Sequence, residues 1–171
     1  MSSGSSRRQP WSIVARCDPT DGEIITAHDG AVQILITFFG ADVLRQRSKI
    51  VAAVKQAAGS DLDNKFLERV LEAANTSVRA ARPFNSNQGA SIAIAYQDAN
   101  YGLTSLALGK CQVWLSRGGA LESTNAYPDI YLGESGLNAG RRLAPEKLGV
   151  ELAQTQRAVL APVGYNLSAR P

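Results

Sequence analysis

Residues 88–124, QGASIAIAYQDANYGLTSLALGKCQVWLSRGGALEST, carry the strongest structural signal in the chain. Three runs have strand character, Ala90–Tyr96, Leu103–Leu108 and Cys111–Leu115. Turn formers separate them: Asp98–Gly102 between the first two, and Gly109 with Lys110 between the second and third. Gly, Asn and Asp serve here because they reach positive φ or close a turn with their own side chains. Within the first run Ser91, Ala93 and Ala95 alternate with Ile92, Ile94 and Tyr96, a period of two that predicts strands with one buried face. Gly118 and Gly119 then turn the chain toward Ala120–Glu122.

Upstream of this meander, Ser12–Arg16 reads as a strand. Glu23–Ala27 and Ala31–Phe39 read as a hairpin around His28, Asp29 and Gly30, where Asp-Gly is a strong turn signal. A helix is predicted over Ala41–Ala58, with Val43, Leu44, Ile50, Val51, Val54 and Ala58 at helical spacing. Gly59 ends it. A second helix is predicted over Leu62–Ala81 with Asp61 as its N-terminal cap; Arg82 and Pro83 stop it. Downstream, Asn125–Pro145 reads as loop, and Val150–Leu152 and Arg157–Ala161 as short strands. A hairpin, two helices and a meander predict an α+β protein with helices packed on sheets.

At 171 residues the chain is one domain, 12–171, behind a flexible N-terminal arm, 1–11. No apolar run approaches the ~18–20 residues that cross a bilayer, and the arm has no apolar core behind Arg7 and Arg8 to make it a secretory signal. Its Ser and Arg content also fits a short organellar targeting segment. Eighteen Lys and Arg against fifteen Asp and Glu give a mildly basic protein, with small clusters at Arg7-Arg8, Arg45/Arg47/Lys49 and Arg141-Arg142. That is too sparse for a nucleic-acid footprint unless the clusters converge. Cys17 and Cys111 have no metal or disulfide spacing and read as free thiols in a reducing, intracellular compartment, cytoplasmic or organellar.

The order of these elements resembles the metal-dependent Ser/Thr phosphatases of the protein phosphatase 2C family, over about Val14 to Leu167. Gly89-Ala90-Ser91 stands where that family has Gly-Thr-Thr, and Gly109-Lys110-Cys111-Gln112 where it has Gly-Asp-Ser-Arg. The resemblance implies an αββα sandwich of two antiparallel sheets flanked by helices. It also implies positions for the chemistry, and the residues there differ from the family's. In its opening Gly-x-x-Arg-x-x-Asn-x-Asp motif, Gly22–Gly30 puts Ile25 at the phosphate-binding arginine and Gly30 at the acid, with His28 and Asp29 beside it. The strand that should end in Ala-Asp-Gly ends in Phe38, Phe39 and Gly40. Lys110 replaces the aspartate of the third motif. In the fourth, Ser-Asp-Gly, Gly164 is kept but Val163 replaces the aspartate. The chain also stops before the family's closing strands, which would leave the second sheet an unpaired edge.

Two divalent cations about 4 Å apart need several carboxylates to offset their charge. Phe38, Lys110 and Val163 supply none, so the expectation is a pseudoenzyme with no cofactor, acting as a protein-binding, regulatory or structural subunit of a larger complex or homo-oligomer. Phe38 and Phe39 would plug the vacated cavity, or form an exposed partner-binding patch. His28 reads as a solvent-exposed turn residue and Cys111 as a structural thiol. Arg7, Arg8, Trp11, Arg141 and Arg142 are the candidate partner contacts. Three rivals remain: a weakly active phosphatase using Asp29, Asp18 or Asp21 and one metal; an N-terminal-nucleophile hydrolase, for which no freed Ser, Thr or Cys is evident; and a ribonucleoprotein subunit whose Arg pairs touch RNA.

Overall fold

The computed structural model describes residues 11–84, 86–97, 102–117, 120–124, 126–133, 143, 145–148, 156–165 and 167. Ten strands and three helices are formed among them: β1 Trp11–Ala15, β2 Gly22–Ala27, β3 Val32–Phe39, α1 Ala41–Arg45, α2 Arg47–Ala58, α3 Phe66–Ala81, β4 Gly89–Gln97, β5 Leu103–Leu108, β6 Cys111–Arg117, β7 Ala120–Ser123, β8 Ala126–Tyr127, β9 Glu146–Leu148 and β10 Gln156–Pro162. One sheet has the order β1-β10-β6-β7 and the other β2-β3-β4-β5-β8, with β9 also on β5. The α+β class and the two-sheet sandwich are as the sequence implies. The sheets are mixed rather than purely antiparallel: β1 lies parallel to β10, and β5 parallel to β8.

Two apolar layers result. Ile25, Ile34, Ile36, Ile92 and Ile94 face the helices and meet Val43, Ile50, Val54, Phe66, Val70 and Val78. The other face of the larger sheet, with Leu35, Ala93, Ala95, Leu103 and Ala107, meets Trp11, Ile13, Cys111, Val113, Leu115, Ala158 and Leu160. Every residue of β4 and β5 is therefore buried. The alternation in β4 separates large side chains toward the helices from small ones toward the second sheet, so the expected single buried face is in fact two. Alanines on the inner face let two sheets approach while isoleucines fill the deeper space under the helices.

Other expectations need correction. Trp11 is not part of a flexible arm; it opens β1 and is fully buried between the sheets. Residues 1–10 lie outside the described residues, as do Arg141, Arg142 and Val150–Leu152; the strand found nearby is Glu146–Leu148. The predicted loop over 125–145 contains the short strand β8. The first helix breaks at Gln46 (φ −100, ψ 13). The second begins at Phe66, and Asp63, rather than Asp61, serves its start: its carboxylate accepts the Lys65 N–H (3.0 Å) and pairs with Arg69 (2.9 Å). These contacts hold the Asp63 carboxyl below its usual range, the Lys65 N–H first and Arg69 second. In the smaller sheet β10 is paired on both sides, by β1 and β6, and the outer strands are β1 and β7.

Candidate functional site

Strand register brings several chain segments to one end of the sandwich. Gly22, the start of β2, pairs with Thr37, and Phe39 at the end of β3 pairs with Gly89 at the start of β4. Pro162 at the end of β10 pairs with Cys111. The β5–β6 turn, Gly109-Lys110, ties these together. The Lys110 N–H donates to Ser91 Oγ (2.9 Å), and the Lys110 carbonyl accepts the Val163 N–H (2.8 Å). Gly109 sits at φ +72, where a Cβ would lie 2.4 Å from Ser91 Oγ and 2.8 Å from the Tyr131 ring. Only glycine fits both demands.

Beside this turn lies a cavity of about 500 Å³ whose walls include Phe39, Arg82, Gln88, Lys110 and Tyr131. Phe39 and Tyr131 meet edge to face, centroids 5.3 Å apart, a favoured aromatic geometry. The Arg82 guanidinium donates to the Gly133 carbonyl (2.8 Å) and to that of Ser86. Buried Asn75 on α3 accepts the Gly133 N–H at 2.7 Å, so the helix holds the 131–133 segment in place. Gln88 is fully engaged: its Oε1 accepts the Asp42 and Val43 N–H groups (2.8 and 3.3 Å), and its Nε2 donates to Asp42 Oδ2 (2.7 Å).

At the same end, Arg47 clamps the loop before β2. It pairs with Glu23 (2.7 Å), donates to the carbonyls of Pro19 and Gly22 (2.8 Å each) and stands over the Phe38 ring at 5.6 Å. Both cysteines are free. Burial pushes the Cys111 thiol up to about 12, against a lowering contribution from Thr37, whose hydroxyl is 3.7 Å away. Cys17 is also raised, by burial first and then by Asp21, Asp18 and Glu23. Neither thiol is a thiolate at neutral pH, and the thiolate is the nucleophilic form; Cys111 is structural.

The expected site residues are thus divided. Phe38, Phe39, Lys110, Cys111 and Val163 converge. Ile25, His28, Asp29 and Gly30 do not. Ile25 is buried under the helices, and the 28–30 turn sits at the opposite end of the β2–β3 hairpin. Val32 and Phe39 are seven residues apart, and a strand rises ~3.3 Å per residue, which separates the two ends by roughly 23 Å. His28 is exposed, donates Nε2–H to the Ser60 carbonyl (2.8 Å) and lies edge-on to Phe66. Val163 is 63% exposed; of the two phenylalanines expected to plug the cavity, Phe39 lines it and Phe38 stacks under Arg47. Sequence reasoning missed Arg47, Arg82, Gln88 and Tyr131.

Among the described residues, no three His, Cys, Asp or Glu side chains stand together as a metal-binding group. Two aromatic rings and an ammonium do not fit a divalent cation, which takes oxygen ligands, and Glu23 is already engaged by Arg47. No step of chemistry is therefore routed through a metal here.

Neither a family model nor a curated protein matches the chain. Solved structures do. The PPM Ser-Thr phosphatase MsPP from Mycobacterium smegmatis, in complex with cacodylate, aligns over 84% of this chain and 71% of its own, with a TM-score of 0.59 and 14% identity. The fold is that of the PPM, or protein phosphatase 2C, phosphatases. A structure from the bacterial stressosome, described as a modular system adapted to control secondary messenger signaling, shares the PPM fold over 88% of this chain and 72% of its own (TM-score 0.58, 15% identity). PppA, a key regulatory component in Pseudomonas aeruginosa, does so over 77% and 66% (TM-score 0.56, 13% identity). Among the described residues, no helix of this PPM-fold chain is long and apolar enough to cross a membrane.

Proposed function

We propose that this chain is a pseudophosphatase, a PPM-fold domain that binds protein partners within a larger assembly and does not hydrolyse phosphate esters. The observation that carries the reading is Lys110. By motif order its turn answers to the one where the family has an aspartate, and it stands beside Phe39 on a cavity lined, among the described residues, by no carboxylate. A cation there repels divalent metals instead of holding them, and without metals the fold has no source of the hydroxide nucleophile. Neighbours described as parts of a stressosome and as a regulatory component are the precedent for a PPM fold working in signalling assemblies. Calorimetric titration with Mn²⁺ and Mg²⁺, alongside p-nitrophenyl phosphate turnover, tests it: neither binding nor turnover is expected, and metal-dependent hydrolysis overturns it.

One observation favours a second reading. Asp18 and Asp21 are close enough to Cys17 to raise its pKa, so exposed acids do stand at this end of the sandwich. A weak single-metal phosphatase would use them, and its turnover would vanish in Asp18→Ala or Asp21→Ala.

A further inference from the structure

The cavity beside Lys110 carries charge that no described residue of its walls neutralises. Arg82 is held by two carbonyl oxygens and, among the described residues, by no carboxylate. Lys110 is exposed and makes no ion pair among the described residues. Among the described residues, no Asp or Glu lines the space. Apolar surface accompanies the two cations: the Phe39–Tyr131 pair forms part of the wall, and Phe84, two residues before the lining Ser86, is 94% exposed. The volume, about 500 Å³, falls in the range of specific ligand pockets, roughly 300–1,000 Å³.

We propose that this cavity docks an acidic segment of a partner protein, with a carboxylate side chain on Lys110 and a neighbouring apolar side chain on the Phe39–Tyr131 pair. The inference rests on the pseudophosphatase reading and gives its partner a chemistry. Two cations set against aromatic rings suit a peptide of mixed acidic and apolar character, because charge fixes partner choice while recessed aromatic surface supplies contact area. A nucleic-acid strand would call for a stripe of cations tracking its phosphates, whereas here one of the two cations is already tied to backbone carbonyls.

The probe is a fluorescein-labelled peptide of glutamates with a central phenylalanine, titrated with the full chain and followed by fluorescence anisotropy. Lys110→Glu weakens binding about tenfold, which is about 1.4 kcal/mol at 25 °C. Lys55→Glu makes the same change in net charge on an exposed residue of α2 and leaves affinity within about twofold, since screening confines surface charge to ~10 Å at 0.1 M salt. The glutamine version of the peptide does not bind. Equal losses in the two variants, equal binding of the glutamine peptide, or no binding at all would overturn the proposal. Among the described residues the exposed Lys110 side chain makes no ion pair, and a thermal melt superposing on the parent's is expected. Metal-dependent hydrolysis by the parent protein overturns the pseudophosphatase reading, whereas absence of both hydrolysis and peptide binding overturns this inference alone.

Discussion

Replacing Gly109 by alanine tests the geometry that places Lys110. Two costs arise. The first is conformational: φ +72 is left-handed, which costs a Cβ-bearing residue about 1–2 kcal/mol. The second is steric. The new Cβ lies 2.4 Å from Ser91 Oγ and 2.8 Å from the Tyr131 ring, too close for either to stay. If Ser91 withdraws, the part-buried bond to the Lys110 N–H is lost, about 1 kcal/mol. If Tyr131 withdraws, its edge-on contact with Phe39 is lost, about 0.5–1.5 kcal/mol. Gly30 is the control, because it also has positive φ (+92) but nothing within 4 Å of the added Cβ. Gly30→Ala therefore carries only the conformational cost, and the smaller entropy of the unfolded alanine chain cancels between the two variants. The expected difference is about 2 kcal/mol; at a urea m-value of about 2 kcal/mol/M, Gly109→Ala unfolds about 1 M earlier. Adding Ser91→Ala to Gly109→Ala removes the obstructing oxygen and recovers part of the loss, a coupling that a double-mutant cycle reads directly. Coincident midpoints for Gly109→Ala and Gly30→Ala would refute the packing described for this turn.

Three further outcomes follow from the same structure. Trp11→Ala removes a fully buried side chain and costs about 3–5 kcal/mol in urea unfolding, whereas Trp11→Phe costs less, because the indole N–H it deletes has no partner among the described residues; a flexible-arm tryptophan would show no loss in either. Gln88→Ala strips the acceptor from the Asp42 and Val43 N–H groups, and hydrogen exchange at those two amides accelerates while α3 stays protected, with about 1–2 kcal/mol lost overall. For Cys111 the sign is set by a folded pKa of about 12 against an ordinary 9.0. The unfolded chain loses its proton first, so stability is complete below pH 9 and falls as pH rises toward 12, by up to about 1.4 kcal/mol per unit; urea midpoints of Cys111→Ala at pH 8 to 10 fall less steeply than those of the parent.

The elements that the sequence announces best are those bounded by turn chemistry. Strands β4 to β6 are punctuated by Gly102, Gly109 and Lys110, and α3 repeats its apolar positions at Phe66, Val70, Ala74 and Val78. Long-range facts leave no such mark. Nothing local says that Ala93 and Ala95 face a second sheet, or that Trp11 finds Gln156 across the parallel pairing of β1 and β10. The helix start moved to Phe66 because Asp63, not Asp61, meets the Lys65 N–H. At the candidate site, motif order picks out Phe39, Lys110 and Val163, which lie at one end of the sandwich, since each closes or follows a strand. Counting residues from Gly22 to Gly30 failed because those positions travel along β2, away from the site. Gln88 and Tyr131 lie in irregular segments with no periodicity to betray them; Arg82, a cation just past a helix before Pro83, and Arg47, in a small basic cluster, did carry a sequence cue.

The parallel pairing of β1 with β10 also constrains how the molecule is made. Trp11 and Gln156 stand side by side yet are separated by most of the chain, and closing so long a loop carries an entropic cost that only later contacts repay. On a ribosome the helices and strands β2 to β5 of the larger sheet, which lie within residues 22–108, can assemble first. The smaller sheet must wait until Gln156–Pro162 has emerged, with the apolar inner face of β4 and β5 uncovered meanwhile. High contact order of this kind slows folding and leaves sticky surface exposed for longer. Stalled or prematurely released chains ending before residue 156 should accordingly depend on chaperones and aggregate, even though every residue of the helical layer is already present.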